Sequence, residues 1–117
     1  EGICKRLEKR LCTMEEWRTA CLGVASRSHS YANAFVPGKC NVNGPDAIRT
    51  GERTECKSDL GIHDLVGNAM EWVSDSVEGR GVALGGSFAT GEKTDCFTAH
   101  YFARDGRSSQ TGVRCCR

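Results

Sequence analysis

Two carboxylates, Asp64 and Glu71, bracket a Gly67-Asn68-Ala69 turn within the stretch from Gly61 to Trp72. Gly67 and Asn68 let the backbone bend sharply, so side-chain carboxylates and main-chain carbonyls fall close together. A hard cation such as calcium takes those two kinds of oxygen at once. The plainer alternative is a turn leading into a strand, with both acids solvated. Glu71 and Asp75 lie near enough in sequence to suggest an acid–base pair, but metal binding or solvation explains them more simply. His29, His63 and His100 are scattered without metal-ligand spacing. Ser87 follows Gly85-Gly86 but lacks the Gly-x-Ser-x-Gly elbow of a hydrolase, and capping a turn is the simpler role.

A second group of side chains suits recognition rather than catalysis. From Phe88 through the segment 89–110 the chain carries Glu92, Lys93, Asp95, Phe97, His100, Tyr101, Arg107, Ser108 and Ser109 with little apolar demand. Mixed charged and aromatic groups on a rigid scaffold suit contact with a glycan or a protein surface. The competing reading is a solvated loop followed by an ordinary strand.

Several elements must hold these residues in place. Thr13 and Glu16 have the spacing of a capping box, which predicts a helix of about two turns beginning there. Trp17, Ala20 and Cys21 share one of its faces, and Gly23 is its natural stop. From Arg27 to Leu60 there is no periodicity, only scattered glycines, asparagines and two prolines, so a long irregular loop is expected. Met70 and Trp72 alternate with Glu71 and Val73, the period of a strand with one buried face. Val82 to Leu84, Thr98 to Ala103 and Gly112 to Cys116 are further strands, and Gly85-Gly86 marks a tight turn or a close backbone approach. Trp17 and Trp72 are assigned to the core, and Arg104 and Arg114 to anchoring loops.

Composition narrows the class. A chain of 117 residues makes one domain, 1–117, with a core of modest size. A net charge of +1 gives no argument for nucleic acid or a membrane surface, and no apolar segment is long enough to span a bilayer. Eight cysteines without a Cys-x-x-Cys pair read as a disulfide framework in an exported protein, not a zinc site. Eight cysteines allow 105 pairings, and spacing does not choose among them. No signal peptide is visible, so the chain is read as mature, trimmed or part of something longer.

Three segments resemble one family. Lys9 to Trp17 (KRLCTMEEW) is similar to the "KRLPTEAEW" helix of the formylglycine-generating enzyme (sulfatase-modifying factor) family. Gly61 to Asp75 resembles its "GLYDMVGNVWEWVSD" segment. Gly85 to Phe88 and Gly112 to Cys115 resemble its "GGSW" and "GFRC" motifs. The family's N-terminal strand and helix have no counterpart, so the chain looks like the C-terminal two-thirds of a family domain or a shortened variant. The resemblance implies an α+β fold, irregular, loop-rich, related to C-type lectin domains and stapled by disulfides. It implies the pairs Cys4–Cys115, Cys12–Cys116, Cys21–Cys96 and Cys40–Cys56. It also implies a calcium site formed by the Asp64 and Glu71 side chains with the Gly67 and Ala69 carbonyls. The family's second site begins at a pair like Asn41-Val42, but its later acidic partner has no match.

The family's catalytic pair does not carry over. Its enzymes oxidise a substrate cysteine with copper held by a Cys-x4-Cys pair. Here Cys96 matches the second cysteine, while the first falls near Thr90 or Gly91. One thiolate makes a poor copper(I) site. Met70 stands where the family has a groove-shaping tryptophan. The segment 89–110 crosses the face where the family's groove lies. The expectation is therefore a non-catalytic, extracellular recognition or adhesion module, such as the tip of a longer bacterial surface or fibre protein. Its ligand is a cell-surface glycan or protein, with no nucleic acid and no membrane insertion. The alternatives are a copper oxidase using Cys96 and a structural or assembly domain that oligomerises through the rest of a longer chain.

Overall fold

The computed structural model describes residues 2–103, 106 and 108–117. The chain opens with a short helix α1 (Gly2–Arg6), an element without a sequence signal, and a short strand β1 (Arg10–Leu11). Helix α2 (Met14–Leu22) starts where the capping box directs. Thr13 Oγ1 accepts from the Glu16 amide at 3.1 Å, and the Glu16 carboxylate accepts from the Thr13 amide at 2.8 Å. Arg10 also donates to both Glu16 oxygens at 2.7 Å, which holds that carboxyl down at about 2. Gly23, at φ 69°, closes the helix in a conformation that side chains resist.

Between α2 and the next named strand the described backbone is turns and bends, with one isolated bridge between Lys57 and His63. The irregular loop expected there is what the structure contains. A four-stranded sheet follows: β2 (Met70–Val77), β3 (Arg80–Leu84), β4 (Ala99–Phe102) and β5 (Thr111–Val113), in the order β4-β3-β2-β5. The β2/β3 and β3/β4 pairs are antiparallel, while β5 runs parallel to β2. β4 and β5 therefore occupy opposite edges of the sheet. The last strand, β6 (Cys115–Cys116), leaves that sheet and pairs with β1.

Two sequence expectations need correction. Gly112 to Cys116 is not one strand: it breaks at Arg114, whose side chain turns inward to a buried carboxylate. The buried face of β2 is also not the Met70/Trp72 side alone. Glu71 and Val73 face the core, Met70 is buried on the other side, and Trp72 is only partly covered. A charged residue on the core side defeats an alternation rule, because burial there depends on a partner from elsewhere in the chain.

The core gathers Trp17, Val42, Leu65, Val66, Val73, Val82 and Leu84 with Cys21, Cys40, Cys56 and Cys96. Gly85 permits its closest approach: a Cβ there would lie 2.7 Å from the Trp17 ring and overlap the Leu65 carbonyl. Four disulfides close the fold: Cys4–Cys115, Cys12–Cys116, Cys21–Cys96 and Cys40–Cys56. The first two fasten the chain's ends together across separations of 111 and 104 residues. Cys21–Cys96 joins α2 to the loop before β4, and Cys40–Cys56 closes part of the irregular loop. Crosslinks across such spans restrict the unfolded chain far more than the folded one.

Replacing Cys21 and Cys96 together by alanine is expected to cost about 2–5 kcal/mol. The check is a urea transition of the otherwise oxidised protein, whose midpoint falls while the other three bonds remain closed.

Candidate functional site

Left-handed backbone shapes the loop from Asp64 to Glu71. Asp64, Gly67 and Asn68 have φ of 57°, 80° and 68°. Gly67 is pressed against the Asn41 carbonyl, where a Cβ would come within 2.6 Å. Asn68 ties the loop down: its amide donates to Asn41 O, while its side-chain oxygen accepts from the Ile48 amide and from Asn41 Nδ2. The Asn41 amide group also reaches the Asp46 carbonyl at 3.1 Å. Asn41 and Asn68 thus lock the two loops together through their side chains.

Glu71 sits in the buried centre of this arrangement. Its Oε1 accepts from the Trp17 indole N–H at 2.9 Å and from Arg114 Nε at 2.8 Å, and its Oε2 accepts from Arg114 Nη2 at 2.9 Å. The same guanidinium donates to the His63 carbonyl at 2.8 Å. Burial pushes the Glu71 carboxyl above its ordinary value, and the Arg114 ion pair and the indole hydrogen bond offset part of that. Asp64 raises it a little more through like charge.

The donor set suits a hard cation. Asp64 is buried: its Oδ2 accepts from the Gly51 amide at 2.8 Å, and among the described residues its Oδ1 has no hydrogen-bond partner. Among the described residues the Gly67 and Ala69 carbonyls accept no hydrogen bond either. Glu71 Oε2 takes only one. No three His, Cys, Asp or Glu side chains gather at one point among the described residues, so a cation held here would draw on two carboxylates and main-chain oxygen. Calcium accepts that mixture. Any ion there shares Glu71 with Arg114.

The residues expected to contact a ligand fall into separate places. The loop carrying Phe88, Glu92 and Lys93 lies on the segment 41–44: Gly44 donates to Phe88 O, Phe88 donates to Asn68 O, and Gly91 donates to Val42 O. Ser87 anchors the start of that loop, accepting from the Ala89 amide and donating to Gln110 Oε1 at 2.6 Å. Glu92 borders a groove of about 310 Å³ with Phe35, Pro37, Val42, Asn43 and Arg53. Asp95 caps the next turn, accepting from the Phe97 amide at 2.8 Å. Phe97 is exposed and lies under the Arg18 guanidinium at 5.8 Å. Tyr101 is exposed on edge strand β4, and His100 beside it is partly buried, with Nδ1 unpartnered. Arg107, like Arg104, lies outside the described residues.

Cys96 is bonded to Cys21, and no cysteine is free. Near the position of the family's other thiol, Thr90 Oγ1 donates to the Ser87 carbonyl at 3.0 Å, within a turn that also involves Thr94. One feature escaped the sequence reading. Trp72, assigned to the core, is only partly buried and borders a groove on the outer face of the sheet. Nothing in its local pattern distinguishes it from Trp17, which is 1% exposed.

Comparison with known proteins agrees with this fold. The family model described as a sulfatase-modifying factor enzyme 1-like domain matches residues 2–117. No curated protein matches the sequence. Among solved structures, that of CarF superposes with a TM-score of 0.75 at 18% identity, covering 92% of this chain and 46% of its own. Variable protein 1 of Treponema denticola superposes with a TM-score of 0.76 at 20% identity, covering 90% and 46%. At those identities the likeness is one of fold, and this chain spans less than half of either structure.

In the presence of a calcium chelator, Arg114→Ala is expected to destabilise the protein by roughly 3–5 kcal/mol, because it leaves Glu71 buried without its counter-charge. Burial already raises the Glu71 pKa above its ordinary value, and losing Arg114 raises it further. The deficit is therefore greatest at neutral pH and shrinks as pH falls through that raised value and the carboxylate is neutralised. Urea unfolding of both proteins at about pH 7 and about pH 4 checks the sign.

Proposed function

The chain belongs to the sulfatase-modifying factor enzyme 1-like domain family, and from that premise we propose that it is a non-catalytic recognition module of an exported protein. It binds a cell-surface glycan or protein through the loop 88–97 and the adjoining edge of β4. The observation that carries this reading is the Cys21–Cys96 bond. It takes the one cysteine that matches the family's copper-binding pair and uses it to brace the loop on which the candidate contact residues stand. A disulfide sulfur is not the thiolate that copper(I) requires. The same bond, with the hydrogen bonds from segment 41–44, gives the loop a fixed base from which Glu92, Lys93 and Phe97 project. A preorganised contact loop loses little entropy on binding. Four disulfides suit an oxidising compartment, and among the described residues no helix is long and apolar enough to cross a membrane.

In this reading calcium is structural. The Asp64 and Glu71 carboxylates and the Gly67 and Ala69 carbonyls hold it, and the unpartnered Asp64 Oδ1 is the observation in its favour. The ion supplies positive charge to a loop whose carbonyls are otherwise unsatisfied, and fixes the base on which segment 41–44 and the contact loop rest. A cation bound only by the folded state stabilises it by about 2.7 kcal/mol at a hundredfold excess over Kd. Chelation is expected to lower the melting temperature of the wild type and to leave Asp64→Ala unmoved. An unchanged melting temperature in the wild type removes calcium from the account.

The recognition reading is tested by screening the protein, in calcium, against glycan arrays and intact cell surfaces. Saturable binding that weakens in Glu92→Ala/Lys93→Ala and in Tyr101→Ala is expected. Absence of binding on both platforms counts against it. So does stoichiometric copper(I) binding that disappears in Cys96→Ser, which restores the oxidase, and defined oligomers with no ligand, which favour an assembly domain.

A further inference from the structure

Trp72 stands in a row across the outer face of the sheet, in register with Val113 on β5 and Ala83 on β3, and through Ala83 with His100 on β4. Two contacts fix its ring. Gly81 has no side chain, and a Cβ there would lie 2.7 Å from the indole, so the ring rests on the β3 backbone. Phe102 packs against it with centroids 5.1 Å apart and planes inclined at 56°. The indole surface left over lines a groove of about 500 Å³, within the range of small-ligand sites.

Most polar side-chain atoms around that groove have no partner among the described residues. Ser74, Ser76 and Arg80 make no side-chain hydrogen bond among the described residues. Asp75 uses Oδ1 to accept from the Met14 amide at 2.6 Å, which anchors the carboxylate to the start of α2 and leaves Oδ2 free. The β2/β3 register shifts between Trp72 and Ser76, which marks a bulge where strand side chains are re-aimed. Among the described residues one carboxylate and one guanidinium flank the groove, and their charges balance. Leu11 supplies a further apolar contact.

We propose that this groove is a saccharide subsite that seats one neutral hexopyranose ring on Trp72. The C–H groups on one face of a sugar ring are weakly positive and meet the negative face of an aromatic ring favourably. Vicinal hydroxyls each donate and accept, and they match a free carboxylate oxygen beside a guanidinium fork and serine hydroxyls. The fixed indole and the anchored Asp75 mean little ordering is required when the sugar arrives. The site is separate from loop 88–97, so it stands whether or not that loop binds a ligand.

The test is a titration of the isotopically labelled, fully oxidised protein with the methyl glycosides of glucose, galactose and mannose, followed by amide and indole NMR. Expected are saturable shifts of the Trp72 indole N–H and of the amides of residues 74–76 and 79–81, with the Trp17 indole unmoved. Arg80→Ala and Ser76→Ala, both at exposed positions, are expected to keep the wild-type spectrum and weaken binding severalfold. Trp72→Ala is expected to weaken it by about tenfold or more, the range for a central aromatic contact. If Trp72→Ala unfolds, the two exposed variants decide. No shift with any of the glycosides, shifts elsewhere on the protein, or affinity unchanged in Arg80→Ala and Ser76→Ala would each overturn the proposal. So would displacement of these signals by a peptide when no sugar moves them, which assigns the groove to a protein partner.

Discussion

A single buried carboxylate organises this domain. Glu71 receives a guanidinium on both oxygens and an indole N–H on one, and those donors come from residues 43 and 54 positions away in sequence. Through it the central strand β2 is tied to helix α2, to the junction between β5 and β6, and, by way of Arg114, to the His63 carbonyl. Burying a charge is expensive unless it is paired and hydrogen-bonded, so the rest of the fold must deliver those partners accurately. The break at Arg114 follows directly. A strand running straight from Gly112 to Cys116 would leave Glu71 without its cation.

The disulfides complement that node. A chain of this size buries only a modest apolar core, and cysteines make up a large part of the one it has. Two bonds pin the ends to each other, one braces α2 against the loop before β4, and one closes the irregular segment. Loops so held stay ordered without regular secondary structure, which explains how the chain from 23 to 69 serves as scaffold while containing no helix or named strand. The cost falls on chemistry. A thiol used as a staple is unavailable as a metal ligand, and Cys96 is used as a staple.

Legibility varied with the range of the interaction responsible. The capping box at Thr13 and Glu16 and the stop at Gly23 were readable because each depends on backbone geometry within a few residues, whereas Gly85-Gly86 signalled a close approach without naming Trp17 and the Leu65 carbonyl as its distant partners. The strands were readable to within a residue or two where alternation held. Trp72 was not. Two tryptophans with similar local settings diverge because one faces Glu71 across the core, while the other rests on a glycine of the neighbouring strand. The candidate contact residues beyond Phe88 were recognisable as a polar, aromatic stretch, yet the sequence could not say that Glu92 would border the groove by Phe35 while Phe97 would lie beneath Arg18.

The sequence by itself determined the number of sulfurs, the start and end of α2, the looped character of its middle third and the family to which the chain belongs. These are properties of residue type and of neighbours along the chain. Residue spacing left the cysteine pairing open, and the family resemblance implied the four pairs that form. Only the tertiary structure decided that Glu71 would be neutralised by Arg114, that Asp64 would keep one oxygen buried and unpartnered among the described residues, and that Trp72 would line a groove. Each of those outcomes needs residues far apart in sequence to be brought within a few ångströms, and no local propensity specifies which distant partner arrives.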